Sequence, residues 1–249
     1  MAKKLILLFE GRTGSSMFGD MLNQHSAIGF MGEEVAHLLG RGWSAQEQWI
    51  RSLYSEPPTI QDPRLSSKES LEVVGFKVKL REIADPAGLR ETLLEHGAWV
   101  IHMTRRNLVK QVVSSIRAID LNASSGKYNL HAGEESLVPG AYPIPLHRFE
   151  TTLQWLDSHV ANLERFVANL PLPVLHLRYE DLVADPRATV AEVCAWLGVD
   201  YQELRGRSLK ITSDDLASVI SNYPELAAHY EGTRFASDFD DAHGGATDS

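Results

Sequence analysis

Lys4-Leu5-Ile6-Leu7-Leu8-Phe9-Glu10-Gly11-Arg12-Thr13-Gly14-Ser15-Ser16 is the stretch on which the reading of the fold turns. Leu5–Phe9 is an unbroken apolar run closed by Glu10-Gly11, the pattern of a strand buried on both faces of a parallel sheet. Met17, Phe18, Met21 and Leu22 then recur at helical spacing, so Ser15–Asn23 reads as a helix. Strand, loop of small residues, helix is the order that wraps a phosphate. Consecutive N–H groups converge, small side chains let the backbone approach, and the helix N-terminus adds partial positive charge. Arg12 adds a fixed cation, Thr13 and Gly14 more backbone, and Ser15 and Ser16 two hydroxyls. The same residues also fit an ordinary strand-to-helix turn in which Ser15 only caps the helix. An ATP-type loop would place lysine after the second glycine. Here Ser15 follows Gly14, which disfavours a nucleotide kinase or ATPase.

Further strands are predicted at Val73–Val78, Trp99–Thr104 and Val174–Tyr179. Helices are predicted at Pro86–Glu95, along Leu108–Ile116, at Arg148–Leu170 and from Asp185-Pro186 to Leu197-Gly198. A last helix is expected to open at Thr212-Ser213-Asp214-Asp215 and run through Ile220. Alternating strands and helices imply a three-layer α/β domain whose ligands bind at the carboxyl ends of the strands. We expect one domain over 1–236. Asn122–Pro145 reads as a long loop and Ser237–Ser249 as a frayed tail.

The 249 residues suffice for a sizeable core, and a net charge of −9 argues against nucleic acid as the main partner. An anionic small ligand needs only a local cluster of donors. The single cysteine, Cys194, fits a reducing, cytoplasmic setting. The N-terminal apolar run is too short for a signal peptide, and no stretch approaches the roughly 20 apolar residues of a membrane span.

After the third predicted strand comes Thr104-Arg105-Arg106-Asn107, with Ser114 eight residues beyond Arg106 and Arg117-Ala118 following. Here the chain resembles the sulfotransferase superfamily, and in particular the bacterial trehalose 2-sulfotransferase branch. Leu177-Arg178-Tyr179-Glu180-Asp181-Leu182 resembles a stretch common in bacterial members, where an anchoring role is expected. The resemblance implies a P-loop-containing nucleoside triphosphate hydrolase-like fold and 3′-phosphoadenosine 5′-phosphosulfate as co-substrate, without a metal. It also implies a small hydroxylated acceptor. Arg106 and Ser114 would hold the 3′-phosphate, with Arg12, Thr13, Gly14, Ser15 and Ser16 on the phosphosulfate. Arg12 would also neutralise the departing oxygen. Lys210 is placed over the nucleotide by position alone.

His25 to Glu34, ending Gly32-Glu33-Glu34, resembles the tyrosylprotein sulfotransferase branch with one residue inserted. Alignment on Gly-Glu-Glu makes Glu34 the catalytic base and Glu33 the second candidate; adjacent side chains cannot both enter one cleft. Both also fit exposed acids at a helix start. Lys77, Arg105 and His37 are candidates for the acceptor side, although a strand-end lysine also fits mere snorkelling. Glu34 and His37 at i, i+3 invite a metal reading that lacks further ligands. Two alternatives stand beside sulfotransfer: a P-loop kinase-like phosphotransferase, and a non-catalytic nucleotide-binding domain of the same fold.

Overall fold

In a computed structural model the described residues are 1–131, 133–206, 208–209, 212–213 and 215–240. The elements run β1 (Lys3–Phe9), α1 (Ser15–Gln24), β2 (Ile28–Met31), α2 (Trp43–Tyr54), α3 (Pro63–Ser66), β3 (Val73–Val78), α4 (Pro86–Glu95), β4 (Trp99–Thr104) and α5 (Leu108–Ser125). They continue with β5 (Leu130–His131), α6 (Leu146–Ala168), β6 (Val174–Arg178), α7 (Tyr179–Ala184), α8 (Pro186–Leu197), β7 (Ser208–Leu209), α9 (Tyr223–His229) and α10 (Ala236–Asp240). The chain forms two compact units, Met1–Thr104 with Ala161–Gly206, and Arg105–Val160 with Arg207–Ser249.

The first unit is built on a five-stranded sheet of order β2-β3-β1-β4-β6, parallel throughout. Strand periodicity splits its core in two. Leu5, Leu7 and Phe9 face a layer with Phe18, Met21, Leu182 and Val193, while Ile6 and Leu8 face one with Ile50, Leu53, Leu89 and Leu163. Burial of both faces explains why β1 reads as a continuous apolar run. The α8 boundaries follow the expected chemistry: Asp185 accepts from the Ala188 N–H at 2.9 Å, and Gly198 ends the helix at φ 66°.

The edge strand β2 was not expected. It is four residues long and contains Gly29, so neither length nor β propensity announces it. The glycine lets side chains pack close: a Cβ there would lie 2.6 Å from Leu65 Cδ2, which would have to shift. On the other side of the sheet, His102 of β4 faces His176 of β6 with their Nδ1 atoms 3.2 Å apart. Burial, reinforced by the neighbouring His176, holds the His102 pKa down to about 4. Unfolding restores an ordinary value near 6.5. The folded state therefore binds fewer protons between these limits, and stability falls as pH drops through that window. We expect up to about 3 kcal/mol of acid sensitivity by pH 4, absent from His102→Phe, when urea unfolding is compared at pH 6.5 and 4.

The second unit has its own core of Val109, Val112, Val113, Ile116, Phe149, Leu153, Tyr223 and Phe239. Three expectations change here. The supposed loop from Asn122 begins inside α5 and includes β5, which pairs antiparallel with β7. The helix expected to run from Thr212 through Ile220 is only a 3-10 turn over Leu216–Ser218, capped by the Asp215 carboxylate rather than by a box at Thr212. Ser237–Asp240, expected in a frayed tail, belong to α10, where Phe239 stacks on Tyr230 and is buried. Among the described residues no helix is long and apolar enough to cross a membrane.

Candidate active site

The loop after β1 is shaped by two residues in the left-handed region, Arg12 at φ 69° and Gly14 at φ 80°. For arginine this conformation is costly, and such residues are typical of loops whose N–H groups converge on an anion. Thr13 is buried and donates its hydroxyl to the Glu10 carbonyl at 2.9 Å, closing the turn. Gly14 is the N-cap of α1 with no side-chain cap, and no acid occupies the first turn. A Cβ at Gly14 would meet Tyr179 Cδ2 at 2.9 Å. The Tyr-Glu-Asp-Leu stretch thus abuts the loop, in keeping with an anchoring role.

Lys77 reaches this loop from β3, donating to Ser16 Oγ at 2.9 Å and lying 3.3 Å from Glu33 Oε1. Glu33 Oε2 is paired with Lys79, which also bonds Glu82 Oε1 at 2.9 Å. Both ammonium groups sit over the Phe9 ring, at 5.4 and 5.2 Å. Burial draws the Lys77 pKa below its ordinary value, against the opposing pull of Glu33. For Glu33, burial works to raise the pKa, but the charges of Lys79 and Lys77 outweigh it and leave the carboxyl below the ordinary 4.5. Beside them, Glu10 is buried at the end of β1 and paired with Arg81.

Glu34 turns elsewhere. Its Oε1 meets Arg64 at 2.6 Å, and Arg64 is gripped by Asp62, the N-cap of α3. Its Oε2 is buried without a hydrogen-bond partner. Neighbouring carboxylates on one turn therefore serve two different cation sets, Glu33 the one that touches the loop. His37 is exposed on the 3-10 turn that follows.

In the second unit Arg105 and Arg106 lead into α5, whose N-cap Asn107 accepts from the Lys110 N–H at 2.7 Å. Asp238 of α10 accepts from the Leu108 N–H at 2.9 Å, so a carboxylate sits on this helix start. Arg106 is exposed and Ser114 is buried on α5. Arg117, fully buried, donates to the carbonyls of Pro139, Gly140 and Val219. Lys210 lies outside the described residues.

Residues 96–203 match the model of the Sulfotransferase family. Nodulation protein H of Rhizobium tropici is 24% identical over 239 residues, covering 94% of this chain and 92% of that protein. The sulfotransferase from Alicyclobacillus acidocaldarius superposes with a TM-score of 0.52 at 19% identity, over 98% of this chain and 95% of the other. In sequence and in fold the chain is thus similar to sulfotransferases. Its fold is accordingly of the P-loop type, and the family match takes in β4, α5 and Tyr179 but stops short of the loop at 11–16.

Lys79, Glu82 and Gln46 were missed in the sequence. Lysines two apart at a strand end followed by Glu82 at i, i+3 from Lys79 was the available signal, since alternate strand residues share a face. Gln46 on α2 carries no motif. It is fully buried and saturated, donating to the Val35 and Glu82 carbonyls at 3.1 and 2.7 Å and accepting from the Ala84 N–H at 2.8 Å. It thereby ties the turn after Glu33 to the turn after Lys79.

Proposed function

We propose that this chain is a sulfotransferase that moves the sulfuryl group of 3′-phosphoadenosine 5′-phosphosulfate to a hydroxyl of a carbohydrate or another small molecule. The observation that carries the proposal is the chain of contacts Ser16–Lys77–Glu33 at the uncapped start of α1. It joins an anion cradle, a cation and a carboxylate, the three parts that transfer of an anionic group to a hydroxyl requires. Backbone N–H groups of Thr13–Ser16, with the Ser15 and Ser16 hydroxyls, bind the 5′-phosphosulfate. Arg12 and Lys77 neutralise charge on the oxygen that keeps the electron pair when its bond to sulfur breaks. The acceptor oxygen forms the new bond to sulfur, and its proton passes to Glu33.

The motif alignment puts the base at Glu34. The contacts move our assignment to Glu33, because Glu34 is held by Arg64 and Glu33 by the lysine that bonds the loop. A carboxyl kept ionised is a weak base. That suffices if the reaction passes through a loose transition state like that of phosphoryl transfer, which asks little of the nucleophile. Arg106 and Ser114 are assigned to the 3′-phosphate on their sequence spacing, and Arg105 and His37 to the acceptor side. Lys210 is assigned to the nucleotide. A single cysteine supports a cytoplasmic setting.

The test is protection against heat. Millimolar 3′,5′-bisphosphoadenosine should raise the unfolding midpoint by several degrees, as about 100-fold excess over Kd stabilises by about 2.7 kcal/mol. ATP with magnesium should not, and Arg106→Ala should lose most of the protection. Equal protection by ATP–magnesium would transfer the site to a kinase-like phosphotransferase. Binding without turnover of any hydroxylated acceptor would leave a nucleotide-binding domain.

A further inference from the structure

Glu33 is bracketed unequally. Lys77 approaches one oxygen and is shared with the Ser16 hydroxyl, whereas Lys79 closes on the other and is shared with Glu82. Other charges near the group are accounted for. Asp20 of α1 acts on Lys77, Glu34 is paired with Arg64, and Arg81 with Glu10. Lys77 has the loop to serve, while among the described residues Lys79 bonds the two carboxylates. Its position is fixed from behind as well: Gln46 holds the Glu82 carbonyl and the Ala84 N–H, and the same side chain holds Val35 beyond Glu33.

We propose that Lys79, gripped by Glu82, is a positioning residue that aligns the Glu33 carboxylate and limits how readily it takes the acceptor's proton. The inference rests on the reading of Glu33 as base, and it assigns two residues outside the donor loop to the proton-transfer step. Lys79 touches neither donor nor acceptor in this scheme and acts only through Glu33. Glu82 opposes it by competing for the same ammonium. The two side chains therefore have opposite effects on one carboxylate, which a merely structural pair would not.

The experiment follows Glu33 directly. The free protein, labelled with carbon-13 at glutamate carboxyls and assigned with Glu33→Gln, is titrated by NMR, and the pH profile of kcat/KM is recorded on the same variants. Lys79→Met, which keeps the packing stem over Phe9, should raise the Glu33 midpoint by about one to two pH units and carry the acid limb of the profile with it. Donor KM should stay within about twofold while kcat changes. Glu82→Gln should move the midpoint the other way, and Lys79→Arg should restore the wild-type value. An unmoved Glu33 midpoint in both Lys79→Met and Glu82→Gln overturns the inference and leaves the base assignment standing. A shifted midpoint with an unshifted acid limb upholds the coupling and removes Glu33 as base.

Discussion

Arg12→Ala is expected to lower kcat by about 1,000-fold, about 4 kcal/mol of transition-state stabilisation, while bisphosphoadenosine binding weakens by no more than about tenfold. Arg12 has a Cβ in the left-handed region already, so alanine inherits the same backbone cost and only the guanidinium is lost. Backbone N–H groups and the Ser15 and Ser16 hydroxyls remain to hold the donor. On the proposed mechanism, what disappears is a fixed positive charge at the oxygen that departs with its electrons, an interaction strongest when that charge has developed. Single-turnover rates compared with product affinity separate the two effects. A variant that loses affinity and rate in equal measure would show Arg12 to be a binding residue only.

Glu33→Gln is expected to cut kcat by about 100- to 1,000-fold with donor affinity intact, whereas Glu34→Gln should retain activity within about threefold. The glutamine at 33 keeps a polar group between Lys77 and Lys79 but cannot take a proton. Glu34 loses a half-exposed ion pair with Arg64, worth less than about 1 kcal/mol. The pH profile has a definite sign. Because the lysines hold the Glu33 carboxyl below 4.5, the ionised form persists on lowering the pH through the ordinary carboxylate range. The acid limb governed by Glu33 should therefore fall below pH 4.5 in the wild type. If Glu34→Gln proves the dead variant and Glu33→Gln the active one, Glu34 is the base and Glu33 is not.

Much of the first unit was readable because burial on both faces writes itself into composition. Val73–Val78 and Trp99–Thr104 coincide with β3 and β4, and Pro86–Glu95 with α4, whose N-cap Asp85 is followed by proline. The strand-to-helix loop was legible for a local reason too, since Gly14 takes a left-handed φ of 80° there. β2 was not, because its place depends on Leu65 and Leu71 packing over Gly29 from a distant segment. The division of labour between Glu33 and Glu34 was equally hidden. Alignment cannot say which of two adjacent carboxylates meets Lys77 and which meets Arg64; only folding brings those cations to either side.

Gln46 bears on how portable such a site is. The spacing between the carboxylate and its lysine clamp is dictated by an amide on α2, a helix without any recognisable signature. A transplant of Gly11–Ser16, Glu33 and the Lys77–Glu82 segment into another scaffold would carry every motif residue and still leave the two turns unregistered. The helix that looks most dispensable in the sequence is the part an engineer would have to move as well.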